Sequence, residues 1–110
     1  QRNIAKITSM ILLFAFSNDD DKVSRKEFKL FKKFFKKKED LLTESDFNEL
    51  KQMTLKRFTV NSFVDYMYTN DYQEKIFLDA IIEAKKMIKN QLDYLSLIYD
   101  LENQYKNYRV

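Results

Sequence analysis

The chain has 110 residues, of which 20 are basic and 17 acidic, for a formal charge of +3, and 45% are hydrophobic. It contains no Cys, His, Gly or Pro. That composition excludes disulfides, thiolate or imidazole metal sites and His-based acid–base catalysis, and it removes the residues that serve tight hairpins and phosphate-cradling loops. Helices joined by polar turns remain, so the expected fold is all-α, one compact bundle of about five to seven helices spanning residues 1–110. The mild positive balance permits an anionic partner without demanding one.

The first segment, about residues 2 to 17, sets Ile4, Ile7, Ile11 and Phe14 at helical spacing, and Leu12, Leu13 and Phe16 widen the apolar surface almost around it. Such a helix belongs at the centre of a core. Its apolar run from Met10 to Phe16 is far shorter than the roughly 20 residues that cross a bilayer. Gln1 in place of Met is expected of a piece of a longer or processed protein, whose remainder could include an anchor, a signal or a partner domain.

Ser17, Asn18, Asp19, Asp20 and Asp21 follow, side chains that favour turns and caps. Ser24-Arg25-Lys26-Glu27 reads as a capping box and predicts a helix from about residue 25. Phe28, Phe31, Phe34 and Phe35 share one side of that helix, and Lys26, Lys29, Lys32, Lys33, Lys36 and Lys37 gather on the other. Thr43-Glu44-Ser45-Asp46 predicts the cap of a short third helix carrying Phe47, Leu50 and Met53. Thr59 or Asn61 caps a fourth, with Phe63, Val64 and Met67, before a break at Thr69-Asn70-Asp71. From Tyr72 to about Lys89, Ile76, Phe77, Ala80, Ile81, Ala84, Met87 and Ile88 keep a core stripe. Asn90, with Asp93 three positions on, is a weaker cap for a last helix to about Lys106; with no Gly or Pro between, one bent helix is the alternative. Tyr94, Ile98, Leu101, Tyr105 and Tyr108 line one side of that segment, read as core packing, with a partner or dimer surface as the alternative.

Two features carry candidate chemistry. Asp19, Asp20, Asp21 and Glu27 supply the hard oxygen ligands that Ca²⁺ or Mg²⁺ prefers. An EF-hand register fails, because with Glu27 in its twelfth position Phe16 falls at the first ligand position and Asp21 where Gly is wanted. A non-EF-hand cation site and an ordinary capped turn both remain, and Glu27 does not readily serve as capping partner and ligand together. The lysine face, Lys26, Lys29, Lys32, Lys33, Lys36 and Lys37, is the second. It reads either as a solvated face or as a contact for anionic partners, membrane or acidic protein ahead of nucleic acid, because only Arg25 lies near it and the aromatics face the core. No carboxylate pair with a substrate cleft is indicated, and no enzyme is expected.

The apolar first helix, the stretch Asn18-Asp19-Asp20-Asp21-Lys22-Val23-Ser24-Arg25-Lys26-Glu27 and the amphipathic helix after it together resemble the TerB-like family, named from tellurite resistance. Its signature runs Ala-Asp-Gly-x-Val-Ser-x-x-Glu between the first helices of an all-helical fold. Asp20, Val23, Ser24 and Glu27 match; Asp19 stands at the Ala position and Asp21 at the Gly position, which Asp tolerates because it can take a left-handed backbone. The family often repeats the signature in its second half. Here the corresponding stretch, about residues 83–93, keeps the hydrophobic frame but sets Lys85 and Lys86 where acids would be. If the family's acids form a cation site from both halves, that reversal removes half of it.

The resemblance implies a non-catalytic accessory or protein-interaction module of a stress-response or envelope-associated bacterial protein, responsive to Ca²⁺ or Mg²⁺ if the loop binds a cation. It would sit in the cytoplasm or at the cytoplasmic membrane face. A protein is the first expected partner, then a membrane surface through the lysine face, then nucleic acid. The alternatives are a small basic nucleic-acid-binding protein and a regulatory domain of a DnaJ-like co-chaperone; the J domain's own His-Pro-Asp motif cannot exist in this chain.

Overall fold

The computed structural model describes residues 2–17, 24–35, 42–55 and 59–108. These form six helices: α1 (Arg2–Ser17), α2 (Arg25–Phe35), α3 (Glu44–Thr54), α4 (Val60–Thr69), α5 (Glu74–Met87) and α6 (Leu92–Tyr108). No strand occurs among the described residues, and the expected all-α bundle is what forms.

α1 is the central element, packing most extensively against α5 and also touching α2, α6 and α3. Every residue from Ala5 to Leu13, and again from Ala15 to Ser17, is buried. Its three small polar side chains there bond back to their own helix: Thr8 Oγ1 donates to the Ile4 carbonyl at 2.6 Å, Ser9 Oγ to Ala5 at 2.8 Å and Ser17 Oγ to Phe14 at 2.6 Å. A helix sheathed this way tolerates hydroxyls only because a carbonyl lies one turn back.

A three-ring cluster joins the second half. Phe77 of α5 stacks on Tyr105 of α6 with centroids 3.8 Å apart, and Phe63 of α4 meets both edge-on, at 5.7 and 6.4 Å. All three rings are fully buried. Of the α6 stripe, Ile98, Leu101 and Tyr105 reach the core, Tyr94 is partly covered, and Tyr108 is half exposed, its hydroxyl donating to Asn61 Oδ1.

α5 and α6 are separate helices. The chain turns at residues 88–91, Gln91 N–H donates to the Ile88 carbonyl at 2.8 Å, and Leu95 N–H bonds to Gln91, so α6 starts after Gln91 and not at Asn90. Ile88, buried in the turn, ends the core stripe of α5.

The turn after α4 solves a problem that a glycine-free chain must meet. Asp71 N–H bonds the Tyr68 carbonyl and Tyr72 N–H the Met67 carbonyl, both near 3 Å, which is the paired Schellman closure, and it requires a left-handed residue between them. Asp71 takes that role with φ of 54°. Tyr72 then stacks on Tyr66 at 6.1 Å, the apolar contact that accompanies this closure.

A left-handed non-glycine residue costs on the order of 1 kcal/mol. Asp71→Gly is therefore expected to raise the melting temperature by roughly 5 °C, and Asp71→Val to lower it, in thermal melts followed by circular dichroism. Equal melting points for all three proteins would show that this turn is not held left-handed.

Candidate functional site

α2 begins as its capping box demands. Ser24 N–H donates to Glu27 Oε1 at 3.0 Å and Glu27 N–H to Ser24 Oγ at 3.2 Å. Each side chain thereby satisfies one amide that the helix leaves unpaired. Phe31 is fully buried and Phe28 packs against the core beside it, ring centroids 5.5 Å apart, so α2 lays its aromatic side on the bundle. The side chains of Phe34 and Phe35 lie outside the described residues.

Lys26, Lys29, Lys32 and Lys33 are all exposed. Stepping about 100° per residue puts them on one arc, together with Arg25 at its edge. Glu27, the one carboxylate of α2, lies off that arc and is occupied by the cap. Lys32 Nζ sits 5.2 Å from the Phe28 ring, and none of the four lysines makes a salt bridge with a described residue. Lys36 and Lys37, expected to extend the row, lie outside the described residues.

Asp19, Asp20 and Asp21 also lie outside the described residues. Glu27, the fourth candidate cation ligand, stands close enough to Tyr94 that, after burial itself, its charge helps to raise the phenol's pKa. Tyr94 in turn meets Phe16 edge-on at 4.7 Å. Among the described residues no three potential metal ligands converge.

The other cations behave differently. At the start of α1, Arg2 holds Asp46 of α3 with two bonds, Nε to Oδ2 at 3.0 Å and a terminal nitrogen to Oδ1 at 2.8 Å. Lys6 Nζ lies 3.5 Å from Asp46 Oδ1 and donates to Glu49 Oε2 at 2.6 Å; the Tyr66 hydroxyl of α4 donates to the other Glu49 oxygen at 2.9 Å. Asp46 also closes the α3 capping box with Thr43, accepting the Thr43 N–H at 3.0 Å. This network joins α1, α3 and α4 at one end of the bundle. Every buried side-chain polar atom among the described residues has a partner.

Burial alone would push the Asp46 carboxyl up, but the bonds from Arg2 and Thr43 outweigh it and hold it at about 2. Burial pushes Lys6 down, and the contacts with Glu49 and Tyr66 reverse that and raise it. Burial raises the Tyr66 phenol to about 12. None of the three is poised to exchange a proton near neutrality.

A smaller network joins α5 to α6. Lys85 Nζ bonds Glu102 Oε1 at 2.7 Å and lies 4.0 Å above the Tyr99 ring; Lys106 reaches Glu102 Oε2 at 3.4 Å. Lys85, at an acidic position of the resembled signature, is thus an interhelical tie, and Lys86 is exposed, 4.0 Å from Glu83.

Comparisons with known protein families, with curated proteins and with solved structures find no match to this chain.

Because the folded Asp46 pKa lies below its ordinary 3.8, the stabilisation it supplies is complete above about pH 4 and is lost as pH falls through about 2. The expected contribution is about 2 kcal/mol. In urea unfolding from pH 5 to pH 2, Asp46→Asn should lose less stability than the native chain by roughly that amount; parallel curves would refute the assignment. Asp46→Ala, which removes the cap and leaves Arg2 and Lys6 without their buried partner, should cost about 3 kcal/mol at pH 7.

Proposed function

We propose that this chain is a non-catalytic binding module that presents the basic side of α2 to an anionic partner. One observation carries the reading. Arg2, Lys6, Lys75, Lys85, Lys86 and Lys106 each stand within 4.0 Å of a carboxylate, whereas Lys26, Lys29, Lys32 and Lys33 have none among the described residues. α2 carries five cations against one carboxylate, more positive charge than the whole chain has net. Among the described helices α2 therefore carries the largest cationic excess.

Of the groups whose pKa is shifted, Arg2, Asp46, Lys6, Tyr66 and Glu102 serve ties between helices and Tyr94 packs edge-on against Phe16, which supports a non-catalytic role. In its family-level form the proposal is a TerB-like accessory module of a stress-response or envelope-associated bacterial protein, working in the cytoplasm or at the cytoplasmic membrane face. That part rests on Asp20, Val23, Ser24 and Glu27, to which the closed Ser24–Glu27 box adds local support. No described helix is long and apolar enough to cross a membrane.

The test is elution from immobilised polyglutamate in a salt gradient. Wild type should elute at higher salt than a variant with Lys26, Lys29, Lys32 and Lys33 changed to Gln. A second variant with Lys75, Lys86, Lys89 and Lys106 changed to Gln carries the same net charge and should elute near wild type. Coincident elution of the two variants would mean that net charge alone acts, and would overturn the reading.

A further inference from the structure

The geometry points to an anionic lipid leaflet as the partner of the α2 face, an inference that rests on the reading of that face as the working surface. Lys26, Lys29, Lys32 and Lys33 project from one convex helix whose aromatic side is committed to the bundle, Phe31 fully and Phe28 partly. The large exposed hydrophobics of the described chain, among them Tyr68, Ile82 and Tyr99, all lie on other elements. Among the described side chains the face therefore offers charge without an apolar anchor.

Partner classes differ in what they can do with such a face. A specific protein interface needs a desolvated, well-packed centre of aromatic, aliphatic or Arg side chains, and lysine is depleted there. An exposed lysine–carboxylate pair adds at most about fivefold in affinity and commonly nothing, because two long side chains must be fixed in one geometry. A leaflet rich in anionic headgroups needs no such fixing: each lysine near it gains about fivefold, so four together reach several hundredfold. Headgroups diffuse to the ammonium groups, and shape complementarity is not required.

A duplex nucleic acid is a poorer fit. One row of cations on one helix meets phosphates of a single strand, Arg25 is the lone guanidinium of α2, and the described rings of that helix, Phe28 and Phe31, pack on the core and are not free to stack on bases. Elsewhere among the described residues Arg2, Lys6, Lys75, Lys85, Lys86 and Lys106 lie beside carboxylates, and Lys89 stands alone in the turn after α5, so no second row of unpaired cations is described to compete for the leaflet. That asymmetry orients the domain with α2 toward the headgroups.

The experiment is co-flotation with vesicles of phosphatidylcholine alone and of phosphatidylcholine with about 30% phosphatidylserine, at about 0.1 M salt. Binding to the anionic vesicles only, reduced at least a hundredfold in the variant with the four α2 lysines changed to Gln and at most a few-fold in the Lys75, Lys86, Lys89 and Lys106 control, is the expected result. Circular dichroism checks that both variants are folded. Equal binding to neutral vesicles, equal loss in the two variants, or tighter binding to duplex DNA than to anionic vesicles at the same salt would overturn the inference. Absent vesicle binding with the polyglutamate difference intact would remove the lipid partner and leave the binding-module reading standing; loss of both would remove both.

Discussion

α1 is covered almost everywhere from Ala5 onward, so Lys6, the charged side chain of that stretch, has to be neutralised by whatever packs against its first turns, where the more exposed Arg2 adds a second cation. Asp46 and Glu49 of α3 do this, with Asp46 only 2% exposed. A cation near a helix N-terminus opposes the helix dipole, and a buried one also loses its hydration. Two carboxylates one turn apart on α3 offset both costs. The apolar burial of α1 thus dictates where α3 sits, and the Tyr66 hydroxyl, closing on Glu49, brings α4 to the same end.

The absence of glycine makes the turns bear more of the load. Helices here start on Ser24, Thr43 and Thr59, each with a hydroxyl accepting the N–H three residues on. α4 ends on a left-handed Asp71, and α5 starts at Gln73 with no side-chain cap. The loss of that cap is compensated by packing: Phe77, Ala80, Ile81 and Ala84 of α5 are all buried, and α5 is the main neighbour of α1. Interaction with the core, not the local start signal, holds this helix in place.

What could be read from sequence follows from the range of the interaction. The Ser24–Glu27 and Thr43–Asp46 caps are patterns over three-residue spacings and form where the residues indicate, and at the fourth start, where the sequence offers Thr59 or Asn61, Thr59 is the cap. The core stripes of α4 and α5 are equally local, being periodicity alone. Asn90 looked like the cap of α6 because its side chain suits that role, but the turn closes one residue later through backbone bonds of Gln91, which any residue can make. The Arg2–Asp46, Lys6–Glu49 and Lys85–Glu102 ties join residues 44, 43 and 17 positions apart, and nothing in a single sequence matches one charge to another at that range. The same reason divides the candidate site. That lysines share a side of α2 is a matter of helical stepping and is legible; that those four lysines lack acidic neighbours among the described residues, unlike Lys6, Lys75, Lys85, Lys86 and Lys106, depends on where five other helices carry their carboxylates. The carboxylates of Asp19, Asp20 and Asp21 lie outside the described residues, and their reading stays where the sequence leaves it.

The unpaired face also has an energetic meaning for α2 itself. Lys26 with Lys29, and Lys29 with both Lys32 and Lys33, are neighbours at three- and four-residue spacing, and each like-charged pair costs a helix about 0.2–0.5 kcal/mol. The pairs together cost roughly 1 kcal/mol, which the burial of Phe31 more than offsets. Apart from the Lys32–Phe28 contact and the place of Lys32 and Lys33 in the last turn, the row adds nothing to the stability of the bundle, and neutral residues at Lys26 and Lys29 would relieve the repulsion and leave the aromatic contacts alone. An anionic surface relieves it equally, so binding and stabilisation of α2 are linked, and a ligand that lowers the repulsion must raise the melting point of the domain as it binds.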